Sequence, residues 1–169
     1  MFSGGLLIEN PSYAILMTNF FKRSGEVMAI KLKPKFYGPL RLDRDAPGSF
    51  TFITDAGYRA SAGASASAVQ APPSDLIMAA LASCIGISLE MVAQEMNIDP
   101  GTIEIVIRGE KALDMPHRFA RFEVTVHFND IEDEDLAQRL LNQAKQICTV
   151  SNSLKSEVAV TRGYTEKGV

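Results

Sequence analysis

The chain has 169 residues, of which 46% are hydrophobic and 22% are charged. These values are typical of an ordinary globular protein, and the length suits one domain with a substantial core. The formal net charge of −3 at pH 7 argues against nucleic acid or an anionic membrane as the main partner. The two cysteines are too few for a secreted disulfide framework, so a reducing, cytoplasmic location is expected.

The N-terminal part of the chain predicts an extension followed by short strands. Residues 1–25 are assigned to the extension, and no export signal is expected because its apolar patch has neither a basic region before it nor a cleavage site after it. Residues 26–169 are expected to form one domain. Alternation with period two from Met28 to Leu32 predicts the first strand, and a second is expected from Tyr37 to Leu42.

The next segment predicts a turn, a strand and a loop. The sequence DRDAPG at residues 43–48 predicts the turn, and SFTFIT after it predicts a strand with Phe50 and Phe52 on one face. Residues 60–71 consist mostly of alanine and serine, show no periodicity and predict a loop.

A long helix is predicted from Ser74, as its N-cap, to about Met96. Its uncharged stretch from Leu76 to Leu89 is too short to span a membrane and suits a buried core helix. The helix is apolar on almost every face, which predicts burial on all sides. A chain of this size has few ways to surround such a helix, so a partner subunit is expected to cover one side.

The C-terminal half predicts two strands, a helix and a last strand. Residues 103–108 and 120–128 alternate between apolar and polar side chains and predict an antiparallel hairpin. The acidic cluster EDED at residues 132–135 suits a helix N-terminus, and residues 157–161 predict the last strand. This order of elements predicts an α+β fold with antiparallel sheet.

The two cysteines lie in different settings. Cys84 is inside the long apolar helix, whereas Cys148 is at the end of the second helix, where a new helical turn begins. Exposed N–H groups of that turn would stabilise a Cys148 thiolate. From the pattern alone, each cysteine could also be a small buried hydrophobic residue.

Both cysteine segments resemble one known family. The sequence PPSDLIMAALASC, ending at Cys84, is similar to the central-helix motif of the OsmC/Ohr family, the osmotically inducible protein C and organic hydroperoxide resistance proteins. The sequence CTVSNSL, beginning at Cys148, resembles the family element C-P-V-S-x-x-L, with Thr149 in place of proline. The resemblance covers about residues 40–162. It implies antiparallel β-sheets packed around a long buried central helix in an intertwined homodimer.

The resemblance also implies roles for particular side chains. Cys84 falls on the position of the peroxidatic cysteine, and Cys148 falls on that of the resolving cysteine. The family uses an arginine from the early strands to assist the thiolate. Arg41 is preferred for that role over Arg44 and Arg59 because it follows the strand break at Gly38-Pro39.

The family's glutamate is the clearest departure of this sequence. The position directly after the helix-leading proline, where the peroxidase branch has glutamate, holds Ser74. The adjacent Asp75 matches the acidic position of the broader motif P-x-[DE]-L and is the candidate assisting carboxylate. It could equally be a carboxylate that the helix dipole favours.

Taken with the resemblance, the sequence predicts a two-cysteine peroxidase that reduces organic hydroperoxides. Electrons would return from a dithiol such as a lipoylated protein, and no metal, haem or flavin is expected. A Cys₂His₂ zinc site with His117 and His127 is not expected, because no two of the four ligands have the usual short spacing. The alternative is a catalytically silent dimer that binds an apolar small molecule, which Ser74 and the N-terminal extension favour.

Overall fold

The computed structural model describes residues 35–164, which form two three-stranded sheets and three helices. The predicted extension at residues 1–25 and the strand predicted at residues 28–32 lie outside the described residues. In chain order the elements are β1 (Leu40–Ala46), β2 (Ser49–Thr54), β3 (Arg59–Gly63), α1 (Pro73–Glu95), β4 (Ile103–Lys111), β5 (Phe119–Phe128), α2 (Glu134–Ile147), α3 (Thr149–Ser153) and β6 (Glu157–Gly163).

The first sheet has the order β1-β2-β3, and both pairs of strands are antiparallel. The turn predicted over DRDAPG is wrong in its extent, because β1 continues to Ala46 and only Pro47 and Gly48 form the turn. Gly48 has a φ of +77°, a conformation that other residues rarely adopt. The two-residue turn therefore lets Arg44 pair with Phe50 on β2.

The loop predicted at residues 60–71 is wrong in its first part, where β3 pairs with β2. Ala60 lies opposite Phe52, and Ala62 lies opposite Phe50. A run of alanine and serine shows no alternation of apolar and polar side chains, so the sequence contained no signal for a strand here. The backbone groups of these residues nevertheless form the hydrogen bonds with β2. The small side chains also leave room for the two phenylalanine rings on the neighbouring strand.

The second sheet has the order β4-β5-β6. The predicted hairpin is confirmed, since β4 and β5 are antiparallel, but β6 runs parallel to β5 with Val160 opposite Val124. The expectation of purely antiparallel sheet is therefore wrong at this edge. Parallel neighbours need a crossover connection, and α2 with α3 supplies it.

The core forms where one face of α1 meets α2 and the inner face of β5. No side chain of the first sheet belongs to this core, and of that sheet's strand residues only Gly63 is buried. The largest fully buried side chains are Phe122, Leu81, Ile85, Leu89, Leu140, Leu141, Val124, Val126 and Cys148. Cys148 therefore lies in the core itself.

Within residues 35–164, helix α1 is buried on one face only. Ala79, Ala80, Ser83 and Ile87 follow the helical period along the opposite face and are exposed, Ile87 to 57%. The described part of the chain therefore does not give the predicted burial on all sides, because α2, α3 and β4 cover only the other side of the helix. By length and composition alone α1 could also cross a membrane, but the core helix of a globular protein meets the same criteria.

The predicted N-cap of α1 is wrong. The cap residue is Pro72, whose ψ of 160° is extended, and Pro73 begins the helix without a side-chain cap. A residue before proline is held extended, and proline suits the first helical position because its missing N–H would have no partner there. The hydroxyl of Ser74 donates instead to the Asp75 carboxylate at 3.3 Å.

Helix α2 begins in the acidic cluster, as predicted. Its N-cap is Asp133, whose carboxylate accepts a hydrogen bond from the backbone N–H of Leu136 at 3.0 Å. This bond satisfies one of the N–H groups that the first turn leaves without a partner. It thereby fixes the start of the helix that ends at Cys148.

Replacing Asp133 by alanine should lower the free energy of unfolding by about 1 kcal/mol, since the cap acceptor is lost. Asp133→Asn keeps an acceptor oxygen and should restore most of the stability. Glu132→Ala, which removes an exposed neighbouring carboxylate, is the matched control. Urea unfolding of the three variants measures the effect, and equal losses in the Asp133→Ala and Glu132→Ala variants would contradict it.

Candidate functional site

The two cysteine sulfurs are in contact although 64 residues separate them in the chain. The Sγ atoms of Cys84 and Cys148 lie 2.8 Å apart, and both residues are free thiols. A disulfide bond is about 2.05 Å long, so a small approach of the two atoms would allow one to form. The contact joins α1 to the junction between α2 and α3.

The two sulfurs differ in their access to solvent. Cys84 lies on α1 at the margin of the buried face, next to the fully buried Ile85, and is partly exposed. Cys148 is 0% exposed. Of the two residues, Cys84 is therefore the more accessible to a small molecule.

Cys148 occupies a break between two helices. Its backbone is extended, with φ −68° and ψ 106°, so it is the C-cap of α2 and at the same time the N-cap of α3. Its sulfur accepts a hydrogen bond from the backbone N–H of Ser151 at 3.3 Å. The prediction of a helix boundary at Cys148 is confirmed, and the break turns its sulfur toward α1.

Two polar residues of the turn after Cys148 hold this break in place. The hydroxyl of buried Ser151 donates to the carbonyl oxygens of Cys148 at 3.0 Å and Lys145 at 3.3 Å. The side-chain amide of Asn152 donates to the Gln146 carbonyl oxygen at 2.8 Å. These bonds satisfy carbonyl groups that the end of α2 leaves open. The signal for them was a serine and an asparagine three and four residues after a helix-ending cysteine.

The electrostatic setting of Cys84 opposes its ionisation. Burial raises the pKa of the Cys84 thiol, and the neighbouring Cys148 thiol raises it further. Hydrogen bonds from the backbone N–H groups of Val150 and Thr149 lower the pKa, without cancelling the rise. An amide donor of this turn was expected at Cys148, and the N–H of Ser151 fills that place.

The structure places Arg41 on β1, away from the sulfur pair. Its guanidinium contacts the Asp43 carboxylate at 2.9 Å, and its side chain is 67% exposed. Arg44 and Arg59 are exposed as well. None of the three arginines is among the groups that shift the pKa of Cys84 in the described part of the chain. The assisting role of Arg41 therefore stays a prediction.

Asp75 lies exposed in the first turn of α1, where it accepts the hydrogen bond from Ser74. At 1.5 Å per helical residue it is about 14 Å from Cys84 along the helix axis. The single chain thus does not bring this carboxylate to the sulfur pair. Its catalytic role also stays a prediction.

The two histidines lie on the second sheet and its hairpin loop. Within residues 35–164, no three His, Cys, Asp or Glu side chains are grouped so that they could hold a metal ion. The ring of His127 lies against Gly163 on the neighbouring strand, where an added Cβ would come within 2.3 Å of it. Its Nδ1 atom is buried without a hydrogen-bond partner among the described residues.

Comparison with known protein families identifies the chain. A family model described as OsmC-like protein matches residues 66–162, more than half of the sequence, and this range contains both cysteines. The chain belongs to the OsmC-like protein family. No curated protein matches it significantly in sequence.

Solved structures of OsmC-like proteins share the fold. An organic hydroperoxide resistance protein from Elizabethkingia anophelis is 18% identical, with a TM-score of 0.66 over 79% of this chain and 100% of that chain. The organic hydroperoxide resistance protein OhrB of Bacillus subtilis is 24% identical, with a TM-score of 0.60 over 76% and 98%. An OsmC-like protein from Mycoplasma pneumoniae is 14% identical, with a TM-score of 0.65 over 78% and 100%. At these identities the likeness shows the fold alone.

The sulfur contact predicts that mild oxidation joins Cys84 to Cys148 within one chain. Treatment with diamide should give a species that migrates as a single chain on a non-reducing gel and is lighter by two hydrogen atoms. Peptide mass spectrometry should then find the two cysteine peptides linked. Cross-linked chains as the main product, or two thiols that stay free, would contradict the geometry.

Proposed function

We propose that this OsmC-like protein is a thiol-dependent peroxidase that reduces organic hydroperoxides, with Cys84 as the attacking sulfur and Cys148 as the resolving sulfur. The observation that carries the proposal is the 2.8 Å contact between a partly exposed and a fully buried thiol. Family membership supports it, since the family includes organic hydroperoxide resistance proteins.

The first step consumes one hydroperoxide. The Cys84 thiolate attacks the terminal oxygen of ROOH, the O–O bond breaks, and the leaving alkoxide takes a proton to become the alcohol ROH. Sulfur is oxidised to the sulfenic acid Cys84–SOH, and the peroxide is reduced by two electrons. The partial exposure of Cys84 suits this step, because the substrate must reach its sulfur.

The second step resolves the sulfenic acid. The Cys148 sulfur attacks the Cys84 sulfur, the hydroxyl leaves as water with the Cys148 proton, and a disulfide forms. Because the two sulfurs are already in contact, this step needs no large movement of α1 or α3. Burial of Cys148 fits the resolving role, because a buried thiol reacts with the adjacent Cys84 sulfenic acid more readily than with a peroxide in solution.

The third step needs an external reductant. A dithiol reduces the Cys84–Cys148 disulfide by thiol–disulfide exchange and leaves as its own disulfide, which restores both thiols. A dithiol such as a lipoylated protein is the proposed class of donor. A reducing, cytoplasmic location would keep this cycle running, and the cycle uses no metal, haem or flavin.

The raised pKa of Cys84 calls for a nearby cation, and no cation within residues 35–164 is among the groups that act on its sulfur. We further propose a homodimer in which a second copy covers the exposed face of α1 and supplies an arginine, with Arg41 the first candidate. Two surfaces support this assembly: the exposed face of α1, with Ile87 at its centre, and the first sheet, which adds nothing to the core of its own chain.

The peroxidase proposal predicts that one equivalent of cumene hydroperoxide removes both free thiols of the reduced protein. The Cys84→Ser variant should consume no peroxide, because a hydroxyl is a far weaker nucleophile toward an O–O bond. The Cys148→Ser variant should still react once, and its sulfenic acid should be trapped by dimedone. Thiol titration and mass spectrometry measure these outcomes.

Two results would contradict this assignment. An adduct on Cys148 in the Cys84→Ser variant, with none on Cys84 in the Cys148→Ser variant, would reverse the two roles. Thiols that survive excess peroxide in the native protein would favour the alternative of a silent dimer that binds an apolar small molecule. The position of Ser74, which donates only to Asp75, is the observation that favours that alternative.

The assembly proposal predicts a dimer in sedimentation at micromolar concentration. Ile87→Glu should give monomers, because a charge would be buried where Ile87 now faces outward. Gln138→Glu, at an exposed position on α2 and so away from the face of α1 that a second copy would cover, is the matched control and should stay dimeric. A stable folded monomer of the native chain at this concentration would contradict the proposed homodimer.

A mixing experiment extends this test to Arg41. If the arginine acts across the dimer, subunits of Cys84→Ser and Arg41→Met, each inactive alone, should regain activity when exchanged into mixed dimers. One site of such a dimer holds both native residues. No recovery would mean that Arg41 acts within its own chain, and full activity of Arg41→Met alone would move the role to Arg44 or Arg59.

A further inference from the structure

A cavity lies beside the first turn of α1, away from the sulfur pair. Its described lining consists of Ser74, Lys111, His117, Arg118 and Phe119. At 1.5 Å per helical residue, Ser74 lies about 15 Å from Cys84 along the axis of α1. The cavity is therefore separate from the two sulfurs, and no step of the proposed peroxidase cycle uses it.

The hairpin between β4 and β5 brings the basic side chains of the lining together. Lys111 ends β4 and lies opposite Phe119, which begins β5. The backbone N–H of Ala112 donates to the Arg118 carbonyl oxygen at 2.9 Å, which closes the loop directly beyond that pair. The loop therefore returns Arg118, with His117 next to it, to the same end of the sheet as Lys111.

The charges around the cavity do not cancel within residues 35–164. The two terminal nitrogens of Arg118 donate to the two carboxylate oxygens of Asp114 at 2.5 and 3.2 Å. Lys111 has no ion-pair partner in this part of the chain, and Asp75, although it follows Ser74, does not line the cavity. One positive charge is left over, beside a guanidinium whose planar fork suits carboxylates.

Phe119 gives the cavity an apolar side. Its ring is partly buried and packs against the fully buried Phe122, with 4.7 Å between the ring centroids. Gly109 makes room for the Phe119 ring, since an added Cβ there would come within 2.8 Å of it. The ring is therefore held in one position, and a flat apolar group can pack against it.

We propose that this cavity binds a small monocarboxylate that carries a flat apolar group. The carboxylate would bind between the Lys111 ammonium and the Arg118 guanidinium, and the apolar group would pack on the Phe119 ring. A single negative charge matches the single positive charge that is left over. An apolar surface with a few charged groups beside it is typical of small-molecule sites. Such a ligand would bind whether or not the sulfurs react with a peroxide.

Titration of the reduced native protein with 2-naphthoate at pH 7 tests the proposal. Calorimetry should give a dissociation constant of about 1 mM or lower. 2-Naphthylmethanol, which has the same ring system without the charge, should bind about tenfold more weakly, because it makes no charge-assisted hydrogen bond.

Lys111→Met removes the ammonium group and keeps an apolar stem, so it should weaken 2-naphthoate binding about tenfold as well. Lys145→Met, at an exposed position on α2, is the matched control. It changes the net charge by the same amount and should bind 2-naphthoate like the native protein.

A second measurement uses the native protein alone and covers the case in which Lys111→Met does not fold. On titration with 2-naphthoate, the backbone amide resonances of Lys111, Arg118 and Phe119 should move. Those of Cys84 and Ile87 should stay in place. Added sodium chloride should weaken the binding of 2-naphthoate but not that of 2-naphthylmethanol, because salt screens the exposed cations.

Any of three results would overturn the proposal. The first is equal affinity for the acid and the alcohol, since the cations would then make no contact with the ligand. The second is an equal effect of Lys111→Met and Lys145→Met, both folded, on 2-naphthoate binding. The third is no binding at all, or resonance changes centred on Cys84 or Ile87. None of these measurements uses a peroxide, so a failure here is distinct from a failure of the proposed peroxidase activity.

Discussion

The site depends on one local constraint, the extended backbone of Cys148 between two helices. If α2 continued past Ile147, the Cys148 side chain would follow the buried stripe of Leu140 and Ala144. The backbone N–H groups after Cys148 would then donate to carbonyl groups of the same helix. The break frees those groups, and one of them, the N–H of Ser151, donates to the Cys148 sulfur. Ser151 holds the break by bonding the carbonyl oxygens that it exposes.

The same core that stabilises the fold opposes the chemistry proposed for it. Cys84 borders on Ile85 and the fully buried face of α1, and this burial is the main reason its pKa is raised. Backbone N–H groups can offset burial without adding a charged side chain, whose own desolvation would cost stability. They offset only part of it here, which leaves room for a cation supplied from outside the single chain.

Sequence reasoning worked where one physical signal dominated and failed where the signal was weak. The apolar run of α1, the acidic start of α2 at Asp133 and the alternation in β5 each predicted their element. Strand β3 was missed because alanine and serine show no period. Strand β6 was predicted, but its parallel direction was not, because alternation does not reveal strand direction. The sulfur contact joins residues 64 positions apart, which only the family resemblance pointed to.

The turn after Cys148 also bears on the oxidised state of the pair. Donors that stabilise a thiolate lose their charged partner when Cys84 and Cys148 form a disulfide, because neither sulfur then carries negative charge. Stabilising the reduced form relative to the disulfide makes a dithiol pair more oxidising, which in turn favours its reduction by an external dithiol. The N–H of Ser151, which donates to the Cys148 sulfur in the reduced protein, would in this way help to close the proposed cycle.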